Sequence, residues 1–97
     1  MTVEFILTYD VNTETREGER RLRKVAKACE GLGVRVQKSV FEFRCSEAQL
    51  TTLIHQVTAV IQPVDSVRVY RVPRGLLDSV VMIGRSAPPV IPGSVIW

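Results

Sequence analysis

The chain has 97 residues, 45% apolar and 24% charged, with a formal net charge of +3, which suits one domain around a single core. No uninterrupted apolar stretch approaches the roughly 20 residues that span a bilayer, and the N-terminus enters a strand pattern without the regions of a secretory signal; a cytoplasmic protein with no membrane segment is expected. Ten of the thirteen basic residues are arginine, whose planar fork suits phosphate better than the point charge of lysine, so the charge balance tilts toward a nucleic acid partner.

Residues 3–10 alternate, with Val3, Phe5, Leu7 and Tyr9 on one side and Glu4, Ile6, Thr8 and Asp10 on the other, the period of a strand with one strongly apolar face. Asp10 closes this run. It is the carboxylate that the pattern puts at the end of a buried strand, pointing away from the main core, and hence the candidate for any chemistry. Its ordinary role would be that of a turn residue. Residues 11–15 form a polar loop, and a helix is predicted over 16–32, with Leu22, Val25, Ala26, Cys29 and Leu32 at helical spacing and Gly31 and Gly33 ending it. On its opposite face Arg16, Arg20, Lys24 and Lys27 form a stripe, flanked by Arg21 and Arg23 and opposed by Glu17, Glu19 and Glu30. Such a stripe is either a solvated helix face or a surface that tracks a phosphate backbone. On the second reading Arg16, Arg20, Arg23, Lys24 and Lys27 are the candidate nucleic-acid-binding residues.

The β-branched and aromatic run at 34–45 reads as two short strands with a turn near Gln37 and Lys38. Ser46-Glu47-Ala48-Gln49 is a capping-box sequence that opens a second helix. Its apolar stripe is Leu50, Leu53, Ile54, Val57, Val60 and Ile61, with Pro63 just past its end and His55 between the apolar positions. A strand follows at 67–72, then the breaker Pro73-Arg74-Gly75 and a short apolar run at 80–83, read as an extra strand. Cys29 on the first helix stripe and Cys45 at a strand end read as buried thiols rather than a disulfide or zinc site.

The order βαββαβ implies an α+β, ferredoxin-like domain over residues 1–84, an antiparallel sheet with both helices on one face. The other face carries Ile6, ends in Asp10, and invites burial against a second copy around a two-fold axis, which would bring each Asp10 toward its symmetry mate. Residues 85–97 read as an extended apolar tail. Val90, Ile91, Val95, Ile96 and Trp97 crowd it while three prolines forbid a helix, so strand pairing with the dimer mate or another protein is expected.

Three stretches together resemble the CRISPR-associated adaptation and endoribonuclease family usually called Cas-two. They are Leu7-Thr8-Tyr9-Asp10-Val11, the run from Gly31 through Val34-Arg35-Val36-Gln37-Lys38-Ser39-Val40-Phe41 to Glu42, and Ser66-Val67-Arg68-Val69-Tyr70-Arg71. The resemblance implies a homodimer that binds nucleic acid and bridges two copies of the Cas-one integrase during spacer acquisition. It also implies metal-dependent cleavage of single-stranded RNA or duplex DNA, the activity reported for some members. Asp10 and its symmetry mate would then bind Mg²⁺, with Tyr9 beside it and Arg35 and Phe41 at positions implicated in the active site. Mg²⁺ uses one or two carboxylates and fills its octahedron with water and phosphate oxygens, so such a pair suffices. It lacks an evident general base, and supports slow or conditional hydrolysis at most. Two positions depart from the family: the loop after Asp10 is about five residues longer than is common, and Lys38 stands where Tyr is frequent. The alternatives are a toxin-like metal-dependent ribonuclease of the same fold and a non-catalytic ferredoxin-like regulatory domain that senses a small molecule; the last does not call for an Arg-rich helix or an apolar tail.

Overall fold

The first strand, β1 (Thr2–Asp10), keeps the alternation read from the sequence in a computed structural model that describes residues 1–84. Phe5, Leu7 and Tyr9 are buried, Ile6 and Thr8 are half-buried, and Asp10 is exposed. Thr15 caps α1 (Arg16–Glu30), its hydroxyl accepting from the Gly18 N–H at 3.0 Å. The helix ends two residues before the apolar periodicity does. Gly31 stays in right-handed geometry at φ −69°, so its freedom is not what stops the helix. Gly33 has a different use: a Cβ there would lie 2.4 Å from Cε2 of Phe43, and only glycine lets the chain pass that ring.

The next two strands, β2 (Val34–Gln37) and β3 (Val40–Ser46), form the expected pair, with a register irregularity between Arg35 and Gln37. Both bonds of the capping box are present at α2 (Glu47–Thr58): Ser46 Oγ accepts from the Gln49 N–H at 3.1 Å, and Gln49 Oε1 from the Ser46 N–H at 2.9 Å. Of its predicted stripe, Leu50, Leu53 and Val57 are buried, but Ile54 is 39% exposed. Val60 and Ile61 lie beyond the helix end and still pack against the core. β4 (Ser66–Val72) completes the sheet, whose order is β2-β3-β1-β4 with every neighbour antiparallel.

The core lies between this sheet and the two helices. Phe5, Leu7, Tyr9, Phe41, Phe43 and Cys45 meet Val25, Ala26 and Cys29 of α1 and Leu50, Leu53 and Val57 of α2. The rings of Phe5 and Phe43 stack at 4.4 Å, within 4° of parallel. Cys29 and Cys45 are free, buried thiols, as the sequence suggested. The architecture is the expected α+β arrangement.

The run 80–83 forms no strand. Instead a short 3₁₀ turn, Leu76–Ser79, folds against the Glu4 end of the helix-free face and buries Leu77. The expected tail, 85–97, lies outside the described residues.

Candidate metal and nucleic-acid site

Asp10 is the last residue of β1 and pairs with Ser66 of β4 on the helix-free face. The row before it runs Val40, Thr8, Arg68, and the next runs Glu42, Ile6, Tyr70. Opposed residues in an antiparallel pair share a face, so these side chains line the surface leading to Asp10. The Arg68 guanidinium carbon lies 5.4 Å from the Tyr70 ring centre, a cation–π pair. Burial pushes the Glu42 carboxyl above its ordinary pKa, an effect Arg44 partly opposes.

Tyr9, Arg35 and Phe41 gather on the other face. The Arg35 guanidinium stacks over Phe41 at 5.1 Å, donates to the Tyr9 hydroxyl at 3.3 Å and meets Glu30 Oε1 at 3.3 Å. Tyr9 in turn donates to the carbonyl of Lys38 at 3.2 Å. Phe41 is fully buried. Its ring therefore reaches only protein, and it serves as a floor for Arg35, which is 43% exposed at its side chain. The fold thus brings three of the four predicted catalytic side chains together and leaves Asp10 across the sheet from them, at the same end of β1.

Arg16, Arg20, Arg23, Lys24 and Lys27 are all exposed on α1, and none makes an ion pair with a described residue. Arg21 behaves differently. Its Nε donates to Asp65 Oδ2 at 2.8 Å and its Nη2 to Oδ1 at 3.3 Å. Asp65 also accepts from the amides of Asn12 at 3.0 Å and Gln62 at 2.8 Å. The Arg21 hydrogen bonds, with those amides, hold the Asp65 carboxyl at a pKa of about 2 despite its burial.

A second ionic group went unnoticed in the sequence. Glu4, buried on the helix-free face, accepts from the amides of Gly75 at 2.9 Å and Leu77 at 3.3 Å. Its Oε2 lies 3.8 Å from Arg44 Nε, and Arg44 also pairs with Asp78. The available signal was a carboxylate inside an apolar strand, which has to find partners if it is buried.

Among the described residues no group of three or more His, Cys, Asp or Glu side chains could hold a metal. The Asp10 side chain, with no hydrogen bond or ion pair to another described residue, is a free hard-oxygen donor. That donor set fits a Mg²⁺ ion bound by one or two carboxylates. Within one chain Asp10 supplies only one.

With the geometry established, three comparisons identify the chain's relatives. The family model for the CRISPR associated protein Cas2 matches residues 1–79. The CRISPR-associated endoribonuclease Cas2 1 of Moorella thermoacetica is 52% identical over 67 residues, 68% of this chain and 70% of that one. The CRISPR-associated endonuclease Cas2 of Halalkalibacterium halodurans is 46% identical over 80 residues, 81% and 83% of the two chains. The crystal structure of Streptococcus pyogenes Cas2 at pH 6.5 superposes with a TM-score of 0.74 at 41% identity, covering 84% of this chain and 99% of that one. The sequence match and the shared ferredoxin-like fold agree, and the chain belongs to the CRISPR-associated Cas2 (Cas-two) family.

Proposed function

We propose that this chain acts as a homodimer that binds nucleic acid, bridges the Cas-one integrase during spacer acquisition, and carries Mg²⁺-dependent endonuclease chemistry at Asp10. The observation that carries the reading is the exposed Asp10 at the end of a helix-free sheet face, its carboxylate without a partner among the described residues. The nuclease names of the relatives from Moorella and Halalkalibacterium support the chemistry. The exposed cations of α1 support the partner.

In this reading Asp10 and its symmetry mate hold the ion, with Ser66 beside each in register. A bound Mg²⁺ would supply polarisation of the phosphate and a water of lowered pKa. The protein's own share is placement. Strand β1 fixes Asp10 by its ladder to β4, while Arg16, Arg20, Arg23, Lys24 and Lys27 hold the backbone without reading bases. On the far side Tyr9, Phe41 and Glu30 hold the Arg35 guanidinium, which is 43% exposed and would have to exchange the Glu30 carboxylate for a phosphate to bind one through Nη2. Among the described residues the row next to Asp10 holds no carboxylate or imidazole to act as general base, Glu42 standing one row farther away, so slow turnover is expected.

The test compares Asp10→Ala and wild-type protein, each purified free of host nuclease, for Mg²⁺-dependent cleavage of single-stranded RNA and duplex DNA. The reading expects cleavage lost and dimerisation kept. Cleavage persisting at the wild-type rate would remove the metal from Asp10.

A further inference from the structure

We propose that Arg21 and Asp65 are positioning residues for Asp10, forming a clasp that closes on the two strands just beyond their last pair. The inference rests on the metal reading of Asp10 and deepens it.

The β1–β4 ladder ends at the pair Asp10 and Ser66. Asp65 directly precedes Ser66, and Asn12 follows Asp10 by two residues. The Asn12 amide bonds to Asp65 Oδ1, so a single carboxylate joins the chain leaving β1 to the chain entering β4. Arg21 adds a third element. Its Nη2 reaches the Asn12 carbonyl at 3.5 Å while it also binds Asp65, which ties α1 to the same point. The Asp65 side chain is fully covered and Arg21 is 16% exposed, and their two-point contact is the geometry in which an ion pair near the surface still contributes. The packing is equally close: a Cβ on Gly18 would lie 1.9 Å from the Asn12 carbonyl oxygen. Only glycine lets the first turn of α1 press on this loop.

Asp10 needs such support because its own side chain touches no described partner. What sets its position is backbone, and beyond Asp10 that backbone is anchored by Val11, buried in the core, and by the Asn12 bond to Asp65. Arg21 sits among Arg20, Arg23 and Lys24, so the clasp also fixes the basic row of α1 relative to Asp10.

The test uses the full chain, Mn²⁺ as the probe, and the variants Asp65→Asn and Arg21→Gln, read by NMR. Hydrogen exchange at the Asn12 amide should accelerate about tenfold in Asp65→Asn, as for loss of one charge-assisted bond, while the amides of Phe5 and Leu53 keep wild-type protection. The Mn²⁺ concentration that half-broadens the Asp10 resonances should rise by about fivefold in both variants, a modest loss of supporting-shell order. Arg21→Lys, which keeps the cation, should restore part of it. A merely structural pair would change exchange and leave the Mn²⁺ midpoint alone, and that result overturns the inference. If Asp65→Asn fails to fold, folded Arg21→Gln with an unchanged midpoint overturns it equally. Absence of Mn²⁺ broadening at Asp10 in the wild-type protein is a separate outcome, which removes the metal reading and the clasp's role together.

Discussion

At the scale of single residues, burial decides which groups are chemically available. Burial pushes the Cys29 thiol up to about 11 and raises Cys45 as well, so neither is a thiolate near neutral pH. Native protein at pH 8 should resist alkylation and yield two reactive thiols only in denaturant, a difference that mass spectrometry reads directly. Asp65 works in the opposite direction. Its folded pKa of about 2 lies below the ordinary 3.8, so the stability it contributes is fully present above pH 3.8 and disappears as pH falls through 2. An acid titration of thermal stability should show that loss in wild type and a flatter profile in Asp65→Asn. Gly33→Ala must move the Phe43 ring that a Cβ would strike, and an overpacking cost of about 1–3 kcal/mol is expected in urea denaturation. The place of Asp10, exposed at the strand end on the helix-free face, was readable from strand parity, while its proposed metal role needed the family resemblance as well. The pairings of Glu4 and Arg21 were not readable, because their partners lie 73 and 44 positions away and no local pattern encodes so distant a pairing.

At the scale of elements, α1 and β1 divide the work. The apolar stripe of α1 was legible from helical spacing, and Val25, Ala26 and Cys29 are buried as that spacing requires. Its outer face keeps five cations exposed, so replacing Arg20, Lys24 and Lys27 by Ala should lower the slope of log K against log salt for duplex binding by about 0.9 for each phosphate that the variant no longer neutralises. An unchanged slope would place the nucleic acid on another surface. The strands carry a subtler lesson. Family resemblance grouped Tyr9, Arg35 and Phe41 with Asp10, yet register sets them on opposite faces of one sheet. The irregularity between Arg35 and Gln37 is a three-dimensional feature without a turn signature in the sequence. The 3₁₀ turn at Leu76–Ser79 was missed for a related reason: Pro73-Arg74-Gly75 announced a break, but not that the chain would return over Glu4.

For the molecule as a whole, the fold was the most legible quantity, since alternation, two amphipathic helices and a capping box all agree on βαββαβ. One face of the sheet remains without helices, and Ile6 and Tyr70 sit in its middle. If a second copy covers this face, Ile6→Asp should shift the protein toward monomer in sedimentation velocity, whereas an unchanged dimer would place the interface elsewhere. The account rests finally on Asp10 as the metal-binding carboxylate of that face. Its most direct measurement is the rate of Mg²⁺-dependent RNA cleavage by rigorously purified Asp10→Ala protein, taken beside its duplex affinity. The account predicts a fall of at least about a hundredfold, near 2.7 kcal/mol of barrier, with duplex affinity within about twofold of wild type. Cleavage undiminished in the variant would contradict it.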